Sequence, residues 1–320
     1  MSNRKLFGLL GYPLGHSFSR AFFSEKFARE HIDAEYLNFE LPSIELLPQV
    51  LDQHPDLCGL NVTLPYKQAV IPYLDELSDE ARAIGAVNVI RITRPEPTRP
   101  EPTHPEPTRP EPTRPEPIHP EPTHPERPVL GGPSAEPPRY HLKGFNSDII
   151  GFMDSIRPLL QPHHRRALVL GTGGASRAIC HGLELLGLEW RYVSRKRQPS
   201  TSTSPLGACD ASLCEEPSTR ACSLDTSKTL SYSDLTPALL SDYTVIVNCT
   251  PLGMYPKVDA APPLAYAALS PRHLLYDLVY NPEVTEFMRQ GRRFGATVKG
   301  GLEMLHRQAI ASWEFWNGKA

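Results

Sequence analysis

A glycine-dense turn at residues 171–174 is the stretch of the sequence best suited to hold a charged ligand. It follows the apolar run 167–170 and leads into a helical pattern, in the order Gly171-Thr172-Gly173-Gly174-Ala175-Ser176. Glycines in such a turn allow backbone N–H groups to approach a pyrophosphate at the positive end of a helix. Ser176 replaces the third glycine of the usual pattern and is small enough for close helix–strand packing. The turn predicts dinucleotide binding; the alternative is a tight strand-to-helix turn without a ligand.

A basic segment follows the next predicted strand, which spans residues 189–193. Its order is Ser194-Arg195-Lys196-Arg197. An NAD-binding unit usually carries an acidic side chain there, about 20 residues beyond the glycines, to bind the ribose 2′-hydroxyl. A guanidinium such as that of Arg195 suits a 2′-phosphate instead, because it offers a planar fork of donors and a permanent charge. The segment favours NADP over NAD; the alternative is a solvated basic loop.

Polar side chains in the first half of the chain stand where strands end or helices begin. Ser17 and Ser19 lie at a helix entry, where two hydroxyls suit a polyhydroxylated or carboxylate ligand and equally suit N-capping. Lys67 is expected one turn inside a helix whose first turn contains Pro65, just past a strand end, where α/β sheets bind ligands. Asp148 begins another helix, where its alternative role is the N-cap. Taken alone, Lys67 is typical of solvated surface.

Alternating apolar runs and turn residues indicate an α/β fold. The predicted strands are 6–10, 36–40, 58–63, 85–92, 140–146, 167–170, 189–193, 244–247, 273–279 and 296–298. The predicted helices are one carrying Phe22, Phe23 and Phe27, then 44–51, 76–84, 149–160, one after residue 174, and 302–316. The last of them has the apolar series Leu302, Leu305, Ala309, Trp313 and Trp316.

Length and composition exclude several classes of protein. The chain has 320 residues, enough for two domains. Lys and Arg number 33 against 36 Asp and Glu, which gives no electrostatic case for nucleic acid or a membrane surface. No apolar run reaches the ~18–20 residues of a membrane span, and the N-terminus lacks a signal-peptide core. The six cysteines include no C-x-x-C pair, so we expect free thiols, a cytoplasmic location and no metal site.

Residues 96–125 form an unusual repeat, six copies of the unit Glu-Pro-Thr-Arg/His-Pro with Ile118 once in place of threonine. Alternate prolines exclude helix and sheet interior, so we expect a polyproline-II-like or disordered segment. It enlarges the tip of a hairpin between strands 85–92 and 140–146. Loop lengthening costs only about 0.6 kcal/mol per doubling, so a fold can tolerate it. A second polar insertion, rich in Ser, Thr and Pro, spans residues 197–228.

The motifs, in this order, resemble those of the shikimate dehydrogenase family. They are Gly11-x-Pro13-x-x-His16-Ser17-x-Ser19, Asn61-Val62-Thr63-x-Pro65-x-Lys67, Gly85-Ala86-x-Asn88, Gly144-x-Asn146-Ser147-Asp148, Gly171-x-Gly173-Gly174-Ala175, Asn248-x-Thr250-Pro251-x-Gly253-Met254, Tyr280-x-Pro282 and Gly301-x-x-Met304-Leu305-x-x-Gln308. The resemblance covers the chain except for roughly 94–139 and 198–228. The sequence departs from the family at Val89 and Ser147, where threonine is usual, and at Ser194, where asparagine is common.

The resemblance implies two domains and a set of binding residues. An N-terminal α/β substrate-binding domain would comprise 1–148 and 301–320, with the repeat insertion at 94–139, and a Rossmann-like doubly wound NADP-binding domain would comprise 149–300. Shikimate would be bound by Ser17, Ser19, Thr63, Lys67, Asn88, Asp148, Tyr280 and Gln308. NADP would be bound by Gly171, Thr172, Gly173, Gly174, Ala175, Ser194, Arg195, Lys196, Thr250, Leu278 and Gly301.

The implied activity is the reversible NADPH-dependent reduction of 3-dehydroshikimate to shikimate in aromatic amino-acid (chorismate) biosynthesis, with Lys67 and Asp148 as the catalytic pair. Hydride transfer to a carbonyl leaves an oxygen that needs a proton and a nearby positive charge, and an ammonium supplies both. Asp148 would orient that ammonium and accept a hydrogen bond from a substrate hydroxyl. One alternative is a quinate/shikimate dehydrogenase, which often accepts NAD; another is a catalytically idle ligand-sensing relative. We expect a monomer or a homodimer.

Overall fold

The computed structural model describes residues 4–15, 18–95, 140–195 and 228–319. The predicted α/β class is confirmed, with two six-stranded sheets and helices between their strands. Among these described residues, those in 4–92 and 142–319 belong to one compact unit, and the short stretches 93–95 and 140–141 belong to a second. The predictions for the proline repeat and for most of the second insertion concern residues 96–139 and 196–227, which lie outside the described residues.

The first sheet mixes parallel and antiparallel strands. Its strands are β1 (Lys5–Gly11), β2 (Ala34–Glu40), β3 (Leu57–Val62), β4 (Glu76–Leu77), β5 (Val89–Thr93) and β6 (His141–Phe145), in the spatial order β2-β1-β3-β5-β6-β4. β1 is parallel to β2 and β3, whereas β5 is antiparallel to β3. The carboxyl ends of β1 and β3 therefore lie beside the amino end of β5. The predicted neighbour relation of the strands that flank the repeat, β5 and β6, is confirmed.

The helices of this half are short, and several predicted bounds change. They are α1 (Phe18–Arg29), α2 (Leu47–Gln53), α3 (Tyr66–Ala69), α4 (Asp79–Ile84) and α5 (Asp148–Ile156). The single helix predicted for 76–84 is wrong at its start, because Glu76–Leu77 pairs with β6 as β4. Helix α4 begins only after Ser78, whose Oγ accepts a hydrogen bond from the Ala81 amide at 3.2 Å. The strand predicted from residue 85 begins at Val89, because Gly85, at φ 66°, ends α4 in the left-handed region.

The second sheet has the strand order of a dinucleotide-binding fold. Its strands are β7 (Arg166–Leu170), β8 (Glu189–Ser194), β9 (Thr229–Ser231), β10 (Val245–Asn248), β11 (Leu274–Asp277) and β12 (Thr297–Lys299), and its helices are α6 (Gly174–Leu185), α7 (Pro237–Asp242) and α8 (Glu286–Arg293). All strand pairs are parallel, in the order β12-β11-β10-β7-β8-β9. Counted within this sheet, that order is 3-2-1-4-5-6, with the reversal between β7 and β10.

Both faces of this sheet are covered, as a parallel sheet requires. Along β7, Ala167 and Val169 belong to one buried cluster, while Leu168 and Leu170 belong to another. β10 alternates in the same way. The near-continuous apolar runs that predicted these strands follow from this two-sided burial. None of the helices in the described part of the chain is long and apolar enough to cross a membrane.

The last helix, α9 (Leu302–Trp316), packs on the first sheet and on α5. The Trp316 indole donates to the Ile90 carbonyl oxygen at 3.0 Å, and its ring occupies the space a side chain at Gly59 would fill. The predicted apolar series of α9 is partly wrong, since Leu302 is exposed whereas Gln308 and Ser312 are buried. Polar side chains face inward here because they have hydrogen-bond partners beneath the helix.

Candidate active site

Lys67 and Asp148 form a largely buried ion pair at one edge of the first sheet. Lys67 Nζ donates to Asp148 Oδ2 at 2.5 Å, with 15% and 11% of the two side chains exposed. Lys67 is the second residue of α3 rather than one turn inside it, because Pro65 stands at the N-cap. The Lys67 carbonyl oxygen accepts from the Val87 amide at 2.7 Å. This bond ties α3 to the segment that leads into β5.

Asn88 holds the other side of the Asp148 carboxylate. Its Nδ2 donates to Asp148 Oδ1 at 2.9 Å and to Ser147 Oγ at 3.1 Å, and its Oδ1 accepts from the Ser147 amide at 2.7 Å. The Asn88 amide donates to the Phe145 carbonyl oxygen at 3.0 Å. Asp148 is the first residue of α5 and Ser147 its N-cap, so the alternative assignment of Asp148 as N-cap is wrong. Both carboxylate oxygens are therefore directed by neighbours rather than used for capping.

Gln308 and Ser312 of α9 reach the same cluster. Ser147 Oγ lies 3.3 Å from Gln308 Oε1 and 3.1 Å from Ser312 Oγ. Gln308 Nε2 donates to the Leu305 carbonyl oxygen at 3.0 Å, which leaves its second N–H available to a ligand. The predicted site residues Lys67, Asn88, Asp148 and Gln308 are thus brought together.

A buried chain of side chains continues from Ser312 towards α1. Asn61 Nδ2 donates to Ser312 Oγ at 2.9 Å, and Asn61 Oδ1 accepts from the Tyr36 hydroxyl at 2.8 Å. Burial raises the pKa of the Tyr36 phenol, while a hydrogen bond with Ser19 lowers it. Since Tyr36 gives its proton to Asn61, Ser19 donates to Tyr36. The Ser19 oxygen then retains lone pairs, which suit a hydroxyl of a ligand.

Of the other predicted substrate residues, Thr63 and Tyr280 stand apart from these bonds. Ser17 lies outside the described residues. Thr63 follows β3, and its amide donates to the Leu10 carbonyl oxygen at 2.9 Å. Tyr280 is 39% exposed, and its ring centroid lies 6.2 Å from that of Phe18 on α1. Within residues 4–15, 18–95, 140–195 and 228–319, no hydrogen bond joins the Thr63 or Tyr280 side chain to Lys67 or Asp148.

The glycine turn of the second sheet fits a phosphate-bearing ligand. Gly171 adopts φ 99°, a conformation that favours glycine. Gly173 is the N-cap of the 12-residue α6 and provides no side-chain bond to its first turn. A Cβ built on Gly173 or Gly174 meets no atom within 4 Å, so the approach to these amides is open. Free N–H groups at the positive end of a helix suit a pyrophosphate. Ser176, fully buried, donates from Oγ to the Gly173 carbonyl oxygen at 2.6 Å, as its small size allows.

Arg195 lies at the carboxyl end of β8, as expected of a residue that binds a ribose phosphate. It directly follows Ser194, the last residue of that strand, and it is exposed. Its charge lies near the Tyr232 phenol, whose pKa is raised by burial and lowered by Arg195. Lys196, the other predicted cation, lies outside the described residues.

Thr250, Leu278 and Gly301 converge on the strand ends next to the glycine turn. A Cβ on Gly171 would lie 3.0 Å from Thr250 Cγ2, so the loops after β7 and β10 touch. Leu278 donates its amide to the Asn248 carbonyl oxygen at 3.0 Å. At Gly301 a side chain would collide with the Leu278 carbonyl oxygen. The contact between Gly171 and Thr250 lies at the point where the strand order reverses, which is where such sheets bind ligands, whereas Leu278 and Gly301 follow the neighbouring strands β11 and β12.

Asp277 organises these loops and was not among the predicted site residues. It is fully buried at the end of β11. Its Oδ1 accepts from Asn248 Nδ2 at 2.9 Å and from the Val279 amide at 3.0 Å, and its Oδ2 accepts from Thr285 Oγ1 at 2.6 Å. Asn248 Oδ1 in turn accepts from Thr250 Oγ1 at 2.6 Å. Burial raises the pKa of Asp277 to about 6, against the lowering effect of its donors.

Sequence reasoning also missed Tyr36 and Ser312. Ser312 stands four residues after Gln308, so both share one helix face, and that spacing was the available signal. Tyr36 stands between half-buried residues on β2 and gave no signal beyond burial. A lone carboxyl at the end of the apolar run 273–279 was the signal for Asp277.

Comparisons with known proteins agree with this geometry. Residues 9–90 match the family model described as the shikimate dehydrogenase substrate binding domain. The chain is 31% identical over 319 residues to a shikimate dehydrogenase (NADP(+)) of Symbiobacterium thermophilum, with 98% of this chain and 90% of the relative covered. It is 29% identical over 316 residues to the enzyme of that name from Desulforamulus reducens, with 97% and 89% covered.

A solved structure shows the same arrangement of elements with ligands bound. Shikimate 5-dehydrogenase from Thermus thermophilus, in complex with NADP(H) and shikimate, is similar with a TM-score of 0.67 and 26% sequence identity. The similarity covers 98% of this chain and 94% of that chain. It therefore extends over both sheets.

Proposed function

The chain belongs to the shikimate dehydrogenase family, and from this we propose that it catalyses the reversible NADP-dependent reduction of 3-dehydroshikimate to shikimate in aromatic amino-acid biosynthesis. The observation that carries the assignment of roles is the Lys67–Asp148 ion pair, 2.5 Å long and braced by Asn88. NADPH, when bound, supplies the hydride. All other contributions come from the chain's own residues.

Lys67 holds the proton that the substrate oxygen receives. Its Nζ has three hydrogens, one of which points to Asp148. The others are available to a carbonyl oxygen on which negative charge develops, so the ammonium acts as both general acid and electrostatic partner. In the oxidation direction the same nitrogen receives the proton back.

Asp148 and Asn88 fix the direction of that ammonium. Because Asn88 Nδ2 and Lys67 Nζ approach different oxygens of the carboxylate, Asp148 is held in one orientation. The remaining lone pairs of the carboxylate are available to a ring hydroxyl of the substrate. Gln308 adds one free amide N–H beside this group. Ser17, Ser19, Thr63 and Tyr280 are proposed, on the resemblance alone, to complete the substrate site.

The proposed NADP site is built mainly from the turn at 171–174 and from Arg195. The open first-turn amides of α6 would bind the pyrophosphate, and the exposed guanidinium after β8 would bind the 2′-phosphate. Lys196, Thr250, Leu278 and Gly301 are the further residues proposed for NADP. The fit of the turn to a phosphate comes from its geometry, whereas the preference for NADP comes from the charge of Arg195.

The division into domains also remains a proposal. We propose that 1–148 with 301–320 bind the substrate and that 149–300 bind NADP, since each range contains one of the two sheets. A cytoplasmic location is proposed on the free thiols of Cys58, Cys180 and Cys249. The expectation of a monomer or a homodimer stays a prediction.

The test is an activity assay on the full chain. Reduction of NADP or NAD is followed at the NADPH absorbance band with shikimate or quinate, so four combinations are compared. We expect shikimate with NADP to give the highest kcat/KM of the four pairs, by about 10-fold or more over shikimate with NAD, since the lost charge-assisted contact to the 2′-phosphate removes about 1.5–3 kcal/mol. Equal rates with quinate and NAD would favour the quinate/shikimate alternative. No turnover with any pair, despite measurable shikimate binding, would favour a ligand-sensing role.

A further inference from the structure

A bridge of two serine hydroxyls links the C-terminal helix to the catalytic carboxylate. Ser312 Oγ on α9 lies 3.1 Å from Ser147 Oγ, which is 3.1 Å from Asn88 Nδ2, and the same nitrogen donates to Asp148 Oδ1. We propose that Ser312 and Ser147 are positioning residues that fix the Asn88 carboxamide and, through it, the Asp148 carboxylate. The proposal rests on the proposed function.

The count of hydrogens and the distances together favour one direction for the bridge. Ser312 has one hydroxyl hydrogen, and it is donated to the Gln308 carbonyl oxygen at 2.8 Å. Its oxygen therefore accepts from Asn61 Nδ2 at 2.9 Å. The single hydrogen of Ser147 has three acceptors within reach, of which Ser312 Oγ at 3.1 Å is nearer than Gln308 Oε1 and Asn88 Oδ1, each at 3.3 Å. With that hydrogen donated to Ser312, Ser147 Oγ accepts from Asn88 Nδ2 at 3.1 Å. The amide nitrogen of Asn88, not its oxygen, must then face Ser147 and Asp148.

This direction matters because the opposite orientation of Asn88 would be repulsive. A carboxamide oxygen turned towards Asp148 would set a second acceptor against the carboxylate, which has no hydrogen to offer when ionised. The Ser147 amide, at 2.7 Å from Asn88 Oδ1, opposes the same turn from the other side. The bridge thus selects the one arrangement in which Asp148 keeps its donor from Asn88.

The helices approach closely enough for such short side chains because of Gly151. A Cβ at Gly151 would lie 2.5 Å from the Met304 carbonyl oxygen and 3.0 Å from the Gln308 amide nitrogen. Gly151 stands one turn after Ser147 on α5, and Gln308 one turn before Ser312 on α9. Ser147 and Ser312 are both fully buried, so water does not replace the bridge.

One departure from the family pattern leaves the bridge intact. Threonine is usual at position 147 in the resemblance, and this chain has serine there. The hydroxyl that the argument needs is common to both residues. Ser147→Thr should therefore keep the function that Ser147→Ala removes.

The test compares Ser312→Ala, Ser147→Ala, the double variant and Ser147→Thr in the full chain with shikimate and NADP. We expect each alanine variant to lower kcat about 10- to 100-fold, the usual effect of a misplaced catalytic group, with KM for both substrates within about 3-fold. The double variant should be no slower than the slower single one, because both residues act through Asn88. Ser147→Thr should keep kcat within about 3-fold.

Ser155→Ala is the matched control. Ser155 is a buried serine of the same helix whose hydroxyl lies 2.6 Å from the Tyr276 hydroxyl, away from Asn88. It should lower Tm as the other alanine variants do and leave kcat unchanged. If Ser312→Ala does not fold, Ser312→Cys, of similar size and weaker hydrogen bonding, takes its place under the same criteria.

The inference is overturned if Ser312→Ala keeps more than about a third of the wild-type kcat, or if the losses of the single variants multiply in the double one. It is also overturned if Ser147→Thr is as slow as Ser147→Ala. A wild-type chain without shikimate oxidation would refute the proposed function and the inference together. An active wild type with an equally active Ser312→Ala would refute the inference alone.

Discussion

Replacing Asp277 by asparagine should change how stability depends on pH. Asp277 is fully buried, and burial raises its pKa from 3.8 to about 6 although Thr285, Val279 and Asn248 donate to it. An acid with a raised native pKa binds its proton more tightly in the folded state. The wild type should therefore gain stability as the pH falls through about 6, and the gain should be complete below the unfolded value of 3.8.

The magnitude follows from the size of the shift. A rise of about 2 pKa units corresponds to about 3 kcal/mol, at 1.36 kcal/mol per unit. About 2 kcal/mol of this gain in stability is reached on acidification from about pH 7.5 to about pH 4.5. The remainder is reached at lower pH, where the unfolded carboxyl also begins to bind protons. Asparagine keeps the carbonyl oxygen that accepts from Asn248 and Val279, and it does not titrate. The free energy of unfolding of the wild type minus that of Asp277→Asn should rise by this amount on acidification.

Urea unfolding of both proteins, followed by tryptophan fluorescence at several pH values, measures this difference. Taking the difference cancels every other titrating group, provided that the m-values agree. Asp259→Asn, which removes an exposed carboxyl of the same half of the chain, is the control for the loss of one negative charge. A difference between wild type and Asp277→Asn that stays flat, or that falls on acidification, would refute the reasoning.

The remaining predictions concern the catalytic lysine, the cofactor and the repeat. Lys67→Ala should lower kcat by about 10²–10⁴-fold with a much smaller effect on shikimate affinity. Lys67→Arg should lower kcat nearly as much, since a guanidinium keeps the charge but not the transferable proton. Near-normal turnover of either variant in the steady-state assay would contradict the role of Lys67 as general acid. Arg195→Ala should weaken NADP binding by about 10–100-fold and leave NAD binding almost unchanged, while Arg191→Ala, on the preceding strand β8, should affect neither. Equal losses for both cofactors in a binding titration would make Arg195 structural. Replacing residues 95–138 by Asn-Gly should preserve kcat and KM and keep or slightly raise Tm, because β5 and β6 are already neighbours. A deletion variant that folds well but is inactive would place the repeat in the active site.

The fold class and most of the helices and strands could be predicted from the order of residues alone. Two-sided burial makes the strands of the second sheet apolar along their whole length, so β7, β10 and β11 are visible as continuous runs. The turn at 171–174 was visible because Gly171 needs a left-handed backbone. Apolar strands and glycine turns depend on consecutive residues, so a sequence pattern can predict them.

Which polar residues act together depends on contacts that only the folded chain makes. Lys67 and Asp148 are 81 positions apart, and Ser147 and Ser312 are 165 apart; no local pattern relates such pairs. The same limit explains the errors at residues 76–77 and on α9. Glu76–Leu77 is a strand only because β6 lies beside it. The inner face of α9 carries Gln308 and Ser312 only because Ser147 contacts Gln308 and Asn61 donates a hydrogen bond to Ser312. A buried polar group is stable where it has a hydrogen-bond partner, and the tertiary fold places that partner beside it.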